Sequence, residues 1–270
     1  MSFHATNPEA PLRLVRQTPE LAGIVEEIIC YRENGRGIES DVETAALVVP
    51  LVINFGDRFG IGLGCQPGIA GRYGSFTSGL FAGPVIINST GNAECIQINF
   101  TPLGAWRFFG LPMSELSARM VTLDELGDRE INRLRQHLAD EADWKRRFDM
   151  IEDFVIRRVR RSPPADPALG WAYRYMLDNG GQIRIADIAG KLDWSRKHLA
   201  QRFRLQLGLP PKAIARIIRF RAALSMSKLT GQPDWADIAA ACGYADQAHL
   251  TREFGDLAGM SPTRWHAKAA

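Results

Sequence analysis

Ala186-Asp187-Ile188-Ala189 recurs as Ala236-Asp237-Ile238-Ala239, fifty residues further along the chain. Beyond the next turn the offset becomes fifty-one, because one residue is gained between the two copies. The residues repeated at this offset are His198-Leu199 and His249-Leu250, Phe203 and Phe254, Gly208 and Gly259, Pro211 and Pro262. A short helix, a turn and a second helix, written twice towards the C-terminus, predict two helix-turn-helix units.

Positive charge is concentrated in the part of the chain that holds this repeat. From Ala168 onward there are 15 Lys and Arg against 8 Asp and Glu, whereas the first 167 residues have 18 against 22. A chain of 270 residues with 46% hydrophobic content is long enough for two domains, each with a buried core. The basic half favours a polyanionic partner, and the alternative is a solvated basic surface.

The cysteines and the apolar segments indicate the compartment. Cys30, Cys65, Cys95 and Cys242 are widely spaced without a C-x-x-C pair, so we expect neither a zinc site nor disulfides, and we predict small core residues in a reducing compartment. The longest apolar stretch, residues 45–55, is interrupted by a proline and an asparagine. We therefore expect a soluble, cytoplasmic protein that does not bind a membrane.

The first half of the sequence contains strand-like segments separated by glycines, at Ala45–Asn54, Gly79–Asn88 and Glu94–Phe100. In the last of these, apolar residues alternate with mostly polar ones, which is typical of a half-buried strand. The spacing predicts a β-sandwich or small barrel, and a helix is expected before it at Pro19–Tyr31. Such a barrel either holds a small ligand or is filled by its own side chains.

Catalytic and cofactor motifs are absent from the sequence. A metal-dependent barrel needs several histidines, but the predicted strand region has none, and the chain contains only His4, His137, His198, His249 and His266. There is no G-x-S-x-G, no P-loop and no dinucleotide fingerprint. We therefore predict no metal, no cofactor and no enzymatic activity.

Helices follow the strands. The first is predicted at Leu103–Phe109, and a longer segment at Asp128–Arg160 carries an apolar stripe that breaks around residues 140–143, so that it can be two helices. The stripe either caps the barrel core or forms a two-helix dimer seam. Three prolines between Arg160 and Pro167 then predict a stiff linker at residues 161–167.

The second domain begins with Asp166 as the N-cap and Pro167 as the first residue of a helix that buries Trp171, Tyr175 and Met176. In each helix-turn-helix unit the second helix is capped by Ser195 or Asp246 and buries an apolar stripe. The candidate DNA-binding residues are the polar or small ones at the start and on the outer face of these helices: Ser195, Arg196, Lys197, Ala200, Gln201 and Arg204 in the first, and Gln247, Ala248, Thr251 and Arg252 in the second.

These residue types suit the major groove of DNA. Arg and Gln form paired hydrogen bonds with guanine and adenine edges, and the methyl groups of Ala and Thr contact thymine. A solvated helix face has a similar composition, but two such faces on one duplicated frame favour the DNA-binding interpretation. The helix predicted at Pro211–Lys228 would span about 27 Å at 1.5 Å per residue, which suits two successive major grooves.

Charge differs between the two units. Residues 184–228 contain 11 basic and 2 acidic side chains, whereas residues 229–270 contain 3 basic and 5 acidic ones. Since phosphate neutralisation supplies much of the affinity for DNA, the first unit and the connecting helix are predicted to dominate binding.

Residues 168–268 closely resemble the DNA-binding domain of the AraC/XylS family of transcriptional regulators. The matching motifs include Ser195-x-x-His198-Leu199-x-x-x-Phe203, Gly208-x-x-Pro211-Lys212 and Asp246-Gln247-Ala248-His249-Leu250. The resemblance implies seven helices, base-reading positions at Lys197, Ala200, Gln201, Gln247, Ala248, Thr251 and Arg252, and RNA polymerase as a partner of an activator. Two positions depart from the pattern: Asp193 stands where Gly is common, and Ala248 where Ser is common. Asp tolerates the left-handed backbone conformation.

The first half is similar, more weakly, to the cupin-like sensor domains attached to many such regulators. The predicted organisation is therefore an α+β multidomain chain: a cupin-like barrel for sensing or dimerisation at 1–160, a linker at 161–167 and an all-α DNA-binding domain at 168–270. We expect a sequence-specific regulator of double-stranded DNA that responds to a small-molecule effector or forms a homodimer. The alternatives are a cupin-type enzyme with an appended DNA-binding domain, and a nucleoid-type protein without sequence specificity.

Overall fold

The computed structural model describes residues 12–229 and 232–269. The first eleven residues of the predicted sensor domain therefore lie outside the described part of the chain. The N-terminal half contains two antiparallel sheets, one with the strand order β1-β2-β9-β4-β7-β10 and the other with the order β3-β8-β5-β6. The strands are β1 Leu12–Arg16, β2 Val25–Arg32, β3 Asp41–Glu43, β4 Val49–Asn54, β5 Phe59–Leu63, β6 Arg72–Tyr73, β7 Phe76–Ser78, β8 Val85–Asn88, β9 Glu94–Phe100 and β10 Met120–Thr122.

The structure corrects two predictions for this half. The β-rich fold is confirmed, but the two sheets do not close into a barrel. The predicted helix at Pro19–Tyr31 is wrong, since a 3₁₀ turn at Pro19–Leu21 is followed by β2. Gly23, with φ of +76°, separates the turn from the strand. The Val, Ile and Cys residues of β2 then pair with β1 on one side and with β9 on the other, so tertiary pairing outweighs the helical spacing of the apolar residues.

The two faces of the six-stranded sheet have different partners. Val52 and Cys95 face the second sheet and form a small core with Phe59, Ile61 and Phe76. On the opposite face, the alternating residues of β9, Ile96, Ile98 and Phe100, are fully buried under helices. Helices therefore cover the outer face of this sheet.

The helices of the first half are α1 Pro102–Phe109, α2 Leu123–Leu126, α3 Arg129–Asp140 and α4 Trp144–Arg161, with a 3₁₀ turn at Met113–Glu115. The predicted break in the long helical segment is confirmed, and Asp143 caps α4 by accepting a hydrogen bond from Arg146 N at 2.9 Å. The apolar stripes of α3 and α4 pack against the sheet. This agrees with a role in covering the core of the first domain, the first of the two roles considered for this stripe.

The C-terminal half consists of α5 Pro167–Asp178, α6 Ile185–Lys191, α7 Arg196–Leu207, α8 Pro211–Ser227, α9 Trp235–Ala241, α10 Gln247–Ala258 and α11 Pro262–Ala269. Among the described residues this gives the seven helices that the resemblance implies. The predicted buried face of α5 is partly wrong. Leu169, Ala172 and Met176 are buried, whereas Trp171 is 41% exposed and stacks on Tyr175 at a centroid distance of 5.1 Å.

The apolar core of the first half continues into the first helix-turn-helix unit. One cluster of buried residues extends from Leu21 through the sheet and its helices to Phe203 and Leu207 of α7 and to Ile218 of α8. A second cluster lies around Phe220, Leu250 and Phe254 of the second unit and includes Ala45 of the N-terminal half. Helix α8 contributes to both cores, because Ile218 belongs to the first and Ile217 and Phe220 belong to the second.

The N-terminal half contacts both units directly. Helix α7 packs against α1 and against the 3₁₀ turn at Met113–Glu115. The C-terminal end of α10 meets the β-domain, the part of the N-terminal half that contains the two sheets, where Ala45 N donates to the carbonyl of Leu257 at 2.8 Å. Lys268 of α11 forms an ion pair with Asp41 at 2.7 Å. Each unit thus has its own contacts with the N-terminal half.

The described residues correct the cysteine prediction at one position. Cys30, Cys95 and Cys242 are buried, but Cys65 is exposed. Within the same residues, no helix is long and apolar enough to cross a membrane, and no group of three or more His, Cys, Asp or Glu side chains is placed to hold a metal ion.

The C-terminal glycine of α7 provides a test of the contact between the two halves. Gly208 has φ of +90°, and a Cβ there would overlap the Ser117 hydroxyl and approach the Met113 carbonyl oxygen to 3.1 Å. Gly110, which ends α1, also has positive φ, but its Cβ would meet nothing within 4 Å. We expect Gly208→Ala to lower the free energy of unfolding by about 1–3 kcal/mol more than Gly110→Ala, as measured by chemical denaturation.

Adding Ser117→Ala to the Gly208→Ala variant should recover part of that difference, because the overlapping hydroxyl is removed. Equal losses of stability in the two glycine variants would contradict the close packing of α7 on this turn.

Candidate nucleic-acid interface

The turns of the two helix-turn-helix units are built by the same backbone contact. Trp194 N donates to the carbonyl of Ala189 at 2.9 Å, and Tyr244 N donates to the carbonyl of Ala239 at 2.9 Å. The residue before each donor has a left-handed backbone, with φ of +53° at Asp193 and +74° at Gly243. The expectation that Asp193 replaces the usual glycine by adopting this conformation is confirmed.

The extra residue of the second copy is Ala245. Up to Trp194 and Tyr244 the two units correspond at an offset of fifty, and from the caps Ser195 and Asp246 onward they correspond at fifty-one. Both copies keep an edge-on contact between the aromatic ring of the turn and the histidine of the following helix, Trp194 with His198 and Tyr244 with His249. The insertion therefore lengthens the segment between the turn and the helix cap without changing the packing of the turn.

Both recognition helices, α7 and α10, begin with a side-chain cap. Ser195 accepts a hydrogen bond from His198 N at 3.1 Å, and Asp246 accepts one from His249 N at 2.6 Å. The predicted buried stripes are confirmed, since the leucine and phenylalanine residues on the inner faces have no exposed surface: Leu199, Phe203, Leu207, Leu250, Phe254 and Leu257. Each helix is thus fixed along one side and presents the other side to solvent.

The candidate DNA-binding residues lie on the open sides. All are exposed except Ala200, which is half-buried: Ser195, Arg196, Lys197, Gln201 and Arg204 on the first unit, and Gln247, Ala248, Thr251 and Arg252 on the second. Within the described part of the chain, the basic members of this set form no ion pair, so their charges are available to a partner. The structure places each set on one helix and leaves the two sets on separate helices joined by α8.

Other basic residues of the second half are engaged in ion pairs. Arg216 contacts Glu253 at 2.8 Å and Asp256 at 2.7 Å, and Arg219 contacts Glu253 at 3.4 Å. Glu253 is 5% exposed and lies on the inner side of α10. These contacts attach the second recognition helix to the connecting helix, so Arg216 and Arg219 act inside the domain. Sequence reasoning counted their charges toward DNA binding and missed Glu253.

Arg202 is also paired, because it donates to Asp166 at 2.6 Å and links α7 to the cap of α5. Burial opposes ionisation of Asp166, but the hydrogen bonds from Arg202 and from the backbone of α5 outweigh it and lower the pKa of this carboxyl below its ordinary value. The first recognition helix is therefore joined to the segment that leads in from the N-terminal half.

A family model described as a helix-turn-helix domain matches residues 188–268. The Msm operon regulatory protein of Streptococcus mutans serotype c is 24% identical over 157 residues, which cover 56% of this chain and 55% of that protein. The chain thus spans about half the length of that relative.

Among solved structures, ToxT from Vibrio cholerae has 12% identity and a TM-score of 0.47, covering 89% of this chain and 97% of that one. The C-terminal domain of AraT from Geobacillus stearothermophilus has 22% identity and a TM-score of 0.37, covering 39% and 88%.

The duplicated turn, the two capped helices and the family match together define the second half as a helix-turn-helix domain. Its seven helices and the motifs that both copies share agree with the resemblance of residues 168–268 to the DNA-binding domain of the AraC/XylS family.

The Asp166–Arg202 pair predicts a dependence of stability on pH. A carboxyl whose pKa is lowered by folding stabilises the protein fully above its unfolded pKa, about 3.9, and this contribution is lost as the pH falls through the folded value. Asp166→Asn retains a capping side chain but lacks the charge. Between about pH 6 and pH 3 the free energy of unfolding should therefore fall less steeply in this variant than in the wild-type protein.

The matched control is Asp234→Asn. Asp234 caps α9 in the same manner but has no ion-pair partner among the described residues. A pH profile that changes equally in the two variants would show that the Arg202 contact contributes nothing.

Proposed function

We propose that this protein is a sequence-specific, DNA-binding transcriptional regulator whose two recognition helices enter successive major grooves. The observation that carries this proposal is the pair of exposed helix faces on α7 and α10. The two helices belong to two copies of one helix-turn-helix motif, and α8 connects the copies. Helix α8 has 17 residues and spans about 26 Å at 1.5 Å per residue, within reach of the roughly 34 Å repeat of a DNA turn. An activator role, with RNA polymerase as partner, follows from the family resemblance.

The two units contribute differently in this proposal. The first recognition helix presents Arg196, Lys197 and Arg204 without ion-pair partners among the described residues, whereas Arg252 is the only basic residue within α10. Phosphate contacts supply affinity, and side-chain contacts with base edges supply specificity. The first unit therefore provides most of the affinity, and Gln247, Ala248 and Thr251 of the second unit chiefly add discrimination between sequences.

The N-terminal half responds to a small-molecule effector or forms the homodimer contact. Its mechanical connection to DNA binding is the shared core, because α7 packs on α1 and on the turn at Met113–Glu115. Any shift of that turn moves the first recognition helix. The residues 161–167 that were predicted as a linker carry Asp166, whose pairing with Arg202 restricts this segment.

Paired substitutions test the unequal roles of the two units. The double variant Lys197→Ala with Gln201→Ala should lose much more affinity for a DNA site selected from random sequence than the double variant Gln247→Ala with Arg252→Ala, because the first pair lies in the more positively charged unit. Each double variant removes one basic and one amide side chain, so the two are matched controls. Fluorescence anisotropy on the full chain gives the two dissociation constants, and equal losses would contradict the proposal.

A salt titration on the same site separates this function from its nonspecific alternative. A regulator retains a preference for the selected sequence over scrambled DNA as salt rises, although both affinities fall. A steep dependence on salt with no preferred sequence would contradict sequence-specific regulation.

A further inference from the structure

Two arginines of the N-terminal half, Arg58 and Arg72, line the same two clefts. Gly60 of β5 pairs with Arg72 of β6, and Arg58 directly precedes β5. Continuation of this register by one residue makes Arg58 and Arg72 diagonal neighbours. Diagonal neighbours of this kind have side chains about 7–8 Å apart. Both arginines are exposed, and in residues 12–229 and 232–269 neither forms an ion pair. Two like charges so close together favour a negatively charged ligand between them.

Clefts lie on both sides of this pair. One has a volume of about 530 Å³ and is lined by Arg58, Arg72 and Phe55 together with Arg135 of α3. The other, of about 310 Å³, lies on the outer face of the four-stranded sheet beneath residues 67–69. Arg58 and Arg72 line both clefts. The larger volume falls within the range that is typical of small-molecule sites.

The walls of the larger cleft are positively charged overall. Its three arginines face one acidic residue, Asp124, which is already paired with Arg135 at 3.1 Å. Ser75 and Gln136 add polar groups, and Gly74 leaves open space, since a Cβ there would meet nothing within 4 Å. A ligand carrying about two negative charges would balance the two unpaired guanidinium groups.

We propose that this arginine cleft, formed by Arg58, Arg72 and Arg135, binds a phosphorylated small molecule, which serves as the effector of the regulator proposed above. A phosphoryl group has three outer oxygens and a charge near −2 at neutral pH, so two guanidinium forks can bind it at once. A carboxylate has only two oxygens, and a single guanidinium group can bind both of them. The body of the ligand lies in the larger cleft, against Phe55 and Arg135. This assignment rests on the proposed function only for the role of the ligand as effector.

The test uses the full chain with orthophosphate and glucose 6-phosphate as probes, and with glucose and acetate at equal ionic strength as reference compounds. Both phosphate compounds should raise the melting temperature and bind in calorimetry, the sugar phosphate more tightly, whereas glucose and acetate should do neither. The double variant Arg58→Gln with Arg72→Gln should weaken binding by about tenfold or more, because charge-assisted hydrogen bonds are lost. Arg13→Gln, at an exposed arginine of β1 away from both clefts, should bind as the wild-type protein does.

DNA affinity is measured separately, with and without glucose 6-phosphate. The sugar phosphate should change the affinity of the wild-type protein for its selected DNA site and leave that of the double variant unchanged. Phosphate binding that is equal in the double variant and in the wild type, or that is no stronger than acetate binding, would overturn the site. Phosphate binding that leaves DNA affinity unchanged would overturn its role as effector. Failure of the wild-type protein to select any DNA sequence would instead overturn the proposed function.

Discussion

The packing of α7 against the N-terminal half is the contact on which the rest of the structure depends. One side of this helix belongs to the same apolar core as the six-stranded sheet, through Phe203 and Leu207, and its last turn is closed by Gly208 against Met113 and Ser117. Its opposite side carries the first set of candidate DNA-binding residues. A close-packed core has little free space in which a helix can shift. The N-terminal half therefore determines the position and orientation of α7.

The second unit is attached by different means. Its core is a second cluster, to which the N-terminal half contributes Ala45. The unit is also held by α8, by the ion pairs of Arg216 and Arg219 with Glu253, and by contacts of Leu257 and Lys268 with the N-terminal half. The Lys268–Asp41 pair is exposed to solvent and contributes little stability, whereas the inner side of α7 is buried in a continuous core. The second recognition helix is therefore attached to the N-terminal half through fewer buried residues than α7. Its lower positive charge is consistent with a role in discrimination.

Sequence reasoning was most successful where a local rule determines the outcome. The caps at Ser195 and Asp246, the left-handed Asp193 and the buried stripes of both recognition helices all follow from short-range patterns, and the structure confirms them. Prediction from the sequence failed where contacts between residues far apart in the chain determine the secondary structure, burial or pairing of a residue. Val25–Arg32 became a strand because β1 and β9 pair with it, Trp171 remained exposed, and Arg216 found partners on α10 that lie far away in sequence. The arginine cleft was not predicted either, because the register of β5 and β6 and the position of α3 bring its members together.

The central claim is that one chain presents two recognition helices to successive major grooves. The most direct measurement is a methylation-interference footprint of the full chain on a DNA site selected from random sequence. Two groups of major-groove contacts are expected on one face of the duplex, with centres about 10 base pairs apart, and the effect should be stronger in the group read by α7. A single group of contacts, or interference spread evenly along the DNA, would contradict it.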